Sequence, residues 1–317
     1  MSNRWGFAAV VIGGCLLSAC ESTGLDDLNP FKNMSLPDLS LPSGDADAYA
    51  ASDLLPEMAF GRDGRPNVDS ALGGYAGRVD AAAKPVQVQF VAPNEFAMSV
   101  RVTGSRNDYS LQGLGEAVRV GADILWDLSI LTFEDRRRRL SALRPPLATG
   151  RMTTTEAGAV RGVALDFPAL RARGAAVPAR GDAEYETLAD SLRYLAAPLP
   201  ANAVAVGDNL GPPSAVQRLT ARTSAKVERN NIRTHVAGPT RYADRAALLA
   251  IYDGGMLFVN RADRMELQIA GHAVYDLETG LVLRSILRLT WRGQVDGRAT
   301  DEQLFIETAI TPRGGAA

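Results

Sequence analysis

From Val68 onward, apolar and polar positions alternate with a period of two, the spacing of strands with one buried face. Val86-Gln-Val-Gln-Phe90 and Phe96-Ala-Met-Ser-Val-Arg-Val102 both alternate, with Pro93-Asn94 between them. Farther on, Leu219, Ala221, Thr223, Ala225 and Val227 share one face and Arg218, Arg222, Lys226 and Glu228 the other. Asn230-Asn231 tolerates positive φ and predicts a two-residue hairpin turn. That turn returns Ile232, Thr234 and Val236 to the apolar face and sets Glu228 opposite Arg233.

A second hairpin is predicted from Met265, Leu267, Ile269, Ala273 and Tyr275, answered by Leu281, Leu283, Leu287, Leu289 and Trp291. A five-residue loop over Asp276–Gly280 pairs Tyr275 with Leu281 and Met265 with Trp291. A four-residue loop would set apolar against polar positions. Helical periodicity is sparse. Asp182 can cap a helix over 183–197 whose Tyr185, Leu188, Leu192 and Leu195 form one stripe, ended by Pro198 and Pro200. Between Asp123 and Leu143 the pattern predicts a strand and then a short helix. The fold class is therefore α+β: residues 67–317 form a mostly antiparallel, curved β-sheet with one or two packed helices.

Residues 20–66 read differently. They are rich in Asp, Ser and Pro, carry the half-repeat Ser-Leu-Pro-Asp-Leu-Ser-Leu-Pro, and sustain no apolar period, which predicts a flexible tether. A coil of that length spans roughly 35–40 Å root-mean-square. Asp45 and Asp47 lack the ligand spacing and turn glycine of a calcium loop.

Residues 1–19 have the layout of a secretory signal: Arg4, an apolar or small-residue run from Trp5 to Ala19, then a cysteine. The run is too short for a membrane-spanning helix, which needs about 20 apolar residues. Leu17-Ser18-Ala19-Cys20 resembles the lipobox of bacterial lipoproteins. That resemblance implies cleavage after Ala19, diacylation of the Cys20 thiol, and a mature protein held by acyl chains, two or more of which anchor stably. Glu21, in place of an Asp at that position, implies an outer-membrane location facing the periplasm.

Cys15 and Cys20 are the only cysteines, so disulfides and thiolate metal sites are excluded from everything after residue 20. The chain has 34 basic and 36 acidic side chains, and the basic ones are scattered, which argues against a nucleic-acid partner. His235 and His272 are the only histidines. The predicted hairpins put them on polar faces, opposite Lys226 and Arg284, as solvated residues without an orienting carboxylate. Gly113 to Gly121 contains a Gly-x-Gly without the third glycine of a dinucleotide loop, and reads as a loop before a strand. Asp276 and Glu278 are expected as exposed turn acids, and Arg180-Gly181-Asp182 as a lead into a helix cap.

The one charge feature is the run Arg136, Arg137, Arg138, Arg139, which has the chemistry to contact lipid phosphate or another anion, or to form a solvated helix end beside Glu134 and Asp135. No catalytic, cofactor or metal site is expected. The run Leu195–Leu210, with the strands after it, is similar to uncharacterised bacterial envelope proteins with a curved sheet. By shape it is also similar to the lipoprotein-carrier class. Asn209 stands where the former have an aromatic residue, and no site residue carries over. The function expected is a non-enzymatic envelope lipoprotein that binds an envelope protein partner. The alternatives are a carrier of a lipid or other apolar ligand on the concave sheet face, or a hydrolase whose site is dispersed in sequence.

Overall fold

The alternating segments join into one antiparallel sheet. The structure, a computed structural model, describes residues 84–91, 94–104, 108–135, 138–141, 145–200, 202–222, 226–242, 245–260, 263–295 and 298–313. The expected signal segment, the tether and Cys20 lie outside the described residues.

Twelve strands are described: β1 Asn94–Gly104, β2 Asp108–Val120, β3 Asp123–Asp135, β4 Arg138–Ser141, β5 Ala148–Thr155, β6 Val160–Asp166, β7 Lys226–Asn230, β8 Arg233–Tyr242, β9 Arg245–Asn260, β10 Asp263–Asp276, β11 Val282–Val295 and β12 Arg298–Arg313. Their order is β6-β5-β3-β2-β1-β12-β11-β10-β9-β7, with β4 on β3 and β8 on β9, so the sheet is open. Two runs of neighbouring strands, one from each half of the chain, meet where β1 pairs with β12.

Among the described residues there are three helices rather than one or two: α1 Pro168–Ala172, α2 Ala183–Arg193 and α3 Ser214–Arg222. On α2 the expected stripe holds, with Tyr185, Leu188 and Leu192 buried and Leu195 buried just beyond. Leu192 sits over Gly150 of β5, where a Cβ would strike its methyl. The Tyr185 hydroxyl accepts the backbone N–H of Leu165 at 3.2 Å, which satisfies one donor of edge strand β6. Asp182 stands at the N-cap, but its carboxylate accepts the Ala179 N–H at 2.7 Å instead of a helix N–H. Phe96, Met98, Val100 and Val102 of β1 are buried on the same sheet face as Leu111, Trp126, Leu128 and Met152.

Several expectations are corrected. Leu219–Val227 is no strand: α3 occupies Ser214–Arg222, and only β7 is extended. Asn230-Asn231 makes no hairpin either, because β7 and β8 run in line and both pair with β9. The Asn side chains bond locally: Asn231 Oδ1 accepts the Gly255 N–H at 2.7 Å and Asn230 Oδ1 the Ile232 N–H at 3.0 Å. Gly254 has φ +106° there, and a Cβ on it would strike the Asn231 carbonyl. Glu228 therefore meets Arg264 at 3.3 Å and Arg233 meets Asp253 at 2.8 Å, rather than each other. Ile232, Thr234 and Val236 do face the core.

The second hairpin forms with a different register. Asp276 N–H bonds the Leu281 carbonyl at 2.8 Å, giving a four-residue loop, and Tyr275 pairs with Val282. An irregularity after Val274 then skips one residue, so Leu267 meets Trp291 and Ile269 meets Leu289. Apolar still faces apolar, but a bulge restores the parity that the loop breaks. The residues after β3 form a second hairpin strand, β4, and not a helix. Gly113 to Val120 belongs to β2 and is not a loop. Val86–Phe90 makes one isolated bridge, Val86 to Val204, although Val88 and Phe90 are buried.

Candidate functional site

Register, not sequence proximity, assembles a charged concavity on the sheet. Arg313, Glu95, Glu116, Asp127 and Arg151 are successive cross-strand neighbours over β12, β1, β2, β3 and β5. Because side chains alternate, this row lies on the face opposite Phe96, Leu128 and the core. A parallel row runs Leu114, Ser129, Thr149, Asp166. Both rows line a concavity of 660 Å³. Gly115 and Gly150 sit in its floor, with no side chain toward either face. Gly115 is required on the core side, where the Phe96 ring lies 2.5 Å from the position of an added Cβ.

The charges of the row are unevenly matched. Asp127 accepts Arg151 at 2.9 Å, and Asp166 is paired with Arg171. Glu95 and Glu116, exposed and directly opposite each other, have no ion-pair partner among the described residues. Like charges facing each other across a strand pair are destabilising by roughly 0.2–1 kcal/mol. No single segment of sequence marks these residues, because each is one polar position in an alternating strand.

The histidines differ from expectation. His272 is 3% exposed, not solvated, and lies opposite Ile286 and Ile251. Burial first, and the nearby Arg284 second, lower its pKa to about 4, so it is neutral at pH 7. Arg284 is held by Glu307 at 2.7 Å and by a hydrogen bond with Tyr242; burial opposes its charge, and these partners outweigh that. Beside His272, on the same face, Val274 joins Ala247 and Leu249 in a small second apolar cluster against Ala237 and Tyr242. His235 does have a carboxylate neighbour: its Nδ1 is 3.8 Å from Asp253 Oδ2, beyond hydrogen-bond length. Arg233 holds that carboxylate at 2.8 and 3.2 Å. His235 faces Ile251, not Lys226.

No protein-family model matches the chain, and no curated protein sequence matches it.

The remaining candidate residues can be placed in turn. Asp276 is not an exposed turn acid. Its side chain is fully buried, bonded by Arg245 at 2.8 Å and by the Thr279 hydroxyl at 2.5 Å, while Glu278 is exposed and meets Arg245 at 2.7 Å. The hydrogen bond that Arg245 donates to Asp276, chiefly, raises the Arg245 pKa. Arg139 is exposed at the start of β4, with Glu134 at 4.0 Å, and Arg138 is in register with Asp135. Arg136 and Arg137 lie outside the described residues, as do Ala19 and Cys20. Among the described residues, no group of His, Cys, Asp and Glu is placed to hold a metal ion, and no helix is long and apolar enough to cross a membrane.

Proposed function

We propose that this chain is an envelope lipoprotein, anchored by acyl chains on Cys20 after cleavage behind Ala19. In this reading the sheet domain binds a protein partner and does no chemistry. The observation that carries the reading is Leu17-Ser18-Ala19-Cys20 directly behind a charged and apolar leader. A thiol-free remainder of the chain agrees with a single acylation site. The 660 Å³ concavity supports a binding role, since its polar walls come from six strands that hold them in fixed register. The same reading places the protein on the periplasmic side of the outer membrane and lets Arg136–Arg139 contact anionic headgroups. Curvature of the sheet, with helices against its inner face, belongs to this proposal too. A carrier of apolar ligand is the weaker reading, because the concavity is walled by charged side chains.

Metabolic labelling with palmitate tests the anchor. The wild-type chain takes up label and fractionates with membranes, and Cys20→Ser abolishes both. An unlabelled wild-type chain overturns the reading.

A further inference from the structure

The tip that joins β2 to β3 breaks the pattern of the face it belongs to. Glu116, Val118 and Val120 point away from the core, to the side that alternation leaves to polar residues. Glu116 lies in the charged row with Arg313, Glu95, Asp127 and Arg151. Beyond that row the side chains turn apolar. Val118 is in register with Leu125, both half-buried, Val120 is 58% exposed, and Ala122 is exposed in the turn. Gly121 has φ +64°, and a Cβ on it would meet no atom within 4 Å, so the tip stands clear. Its charges are matched in pairs, Arg119 with Glu156 at 3.1 Å and Arg161 with Asp123 at 3.1 Å.

The chain enters the sheet at the same end. Lys84–Val91 is the first described segment, and the Val91 N–H bonds the Thr279 carbonyl in the β10–β11 turn at 3.1 Å. Glu95 is in register with both Glu116 and Arg313, and Arg284 with Ala309, so that turn and the β2–β3 tip share one end of the sheet. Val91 is 55% exposed. The two most exposed large apolar side chains among the described residues therefore stand at the end from which the sequence leads back to Cys20.

We propose that this end of the sheet faces the bilayer and that the β2–β3 tip, Val118–Leu125, dips into the boundary between headgroups and acyl chains. The proposal rests on the Cys20 anchor argued above. A hairpin tip is convex, so it suits a fluid surface, and apolar side chains below a mixed-charge row match the passage from acyl chains to headgroups. Val118, Val120 and Leu125 bury too little area to hold a free domain on lipid. The anchor confines the domain near the bilayer, and at that effective concentration a weak contact is populated. Because the tip's charges are already paired, the contact needs no anionic lipid and resists salt. Arg139 is in register with Glu134, eleven residue steps along β3 from Asp123, ~37 Å at ~3.4 Å per residue. The tip and the arginine end are therefore alternatives on one bilayer, and the entry of the chain favours the tip.

Single labelled thiols test this in the acylated full chain, set in phosphatidylcholine vesicles with and without spin-labelled lipid. Val120→Cys and, separately, Arg139→Cys carry an environment-sensitive dye. The dye at position 120 shifts to the blue and is quenched about twofold or more by the spin label, and the dye at position 139 does neither. Added phosphatidylglycerol, or about 0.5 M salt, leaves both readings unchanged. Val118→Asp beside the labelled position lowers the quenching about threefold, with palmitate uptake as in wild type. Should that chain fail to fold by circular dichroism, Ala122→Asp serves instead. A palmitate-labelled chain whose dye at position 120 stays in water, or that responds equally at both ends, overturns the proposal and leaves the anchor standing. A chain that takes up no palmitate overturns the anchor and this contact with it. Quenching at position 139 alone assigns the lipid to the arginine end, and quenching lost in salt assigns the contact to headgroup charge. A blue shift without quenching assigns the tip to a protein. Each of these three also overturns the proposal.

Discussion

The guanidinium of Arg245, at the start of β9, closes on the fully buried carboxylate of Asp276, at the end of β10, at 2.8 Å. Asp276 also takes the Thr279 hydroxyl and, at 3.4 Å, the Glu278 N–H, so one carboxylate organises the whole β10–β11 turn. Asp276→Ala leaves Arg245 and Thr279 without their shared acceptor. It lowers stability by about 2–4 kcal/mol, read as a drop in the urea midpoint. Glu278→Gln, on the exposed side of the same arginine, changes stability by less than about 1 kcal/mol. Equal effects from the two variants would show that the buried bonds do not hold the turn.

His272 makes stability depend on pH. Its folded pKa, about 4, lies below the ordinary 6.5, so the unfolded chain binds the extra proton first as pH falls. Its contribution is full above pH 6.5 and is lost as pH drops through 4, amounting to roughly 3 kcal/mol. Urea titrations from pH 7.5 to 4 on wild type and His272→Leu check this, because the leucine variant lacks that part of the slope. Parallel curves for the two proteins refute it.

At the alkaline end three buried tyrosines act with the opposite sign. Burial raises Tyr252 to about 12, and raises Tyr109 and Tyr275 as well. Their unfolded forms ionise near pH 10, so stability holds below 10 and falls as pH rises beyond it. Absorbance of tyrosinate at pH 11 is therefore smaller for the folded chain than for the chain in urea.

Gly115 has a packing duty on β2. An added Cβ would land 2.5 Å from the Phe96 ring, and Leu128 is also close. Gly115→Ala costs about 1–3 kcal/mol through overpacking, and Phe96→Leu in the same chain recovers part of it. A double-mutant cycle with no coupling would separate the two positions.

What the sequence disclosed follows from which forces are local. The α2 stripe of Tyr185, Leu188 and Leu192 was legible because its period depends on neighbours in the chain, although the helix ends at Arg193 and not at Pro198. Asn230-Asn231 misled because an Asx side chain serves a hairpin or an in-line irregularity equally well. The 16-residue length of β9, which decides between them, is remote in sequence. Alternation predicted apolar against apolar in β10–β11 correctly, yet not the bulge that delivers it. His272 looked solvated because alternation separates two faces but does not say whether the second is covered. The Glu95–Glu116–Asp127 row was invisible for a related reason, since it needs the pairing of β1, β2 and β3.

The seam between β1 and β12 has a consequence for how the molecule is made. Each flanking group of strands can pair with itself as it is synthesised, but among the described strands no pairing joins the groups until the polypeptide through Arg313 has left the ribosome. The final link is thus among the most distant contacts the chain makes, and the slowest kind to form. A shortened product lacking that strand would be two half-sheets, each offering a raw apolar margin to whatever it meets first.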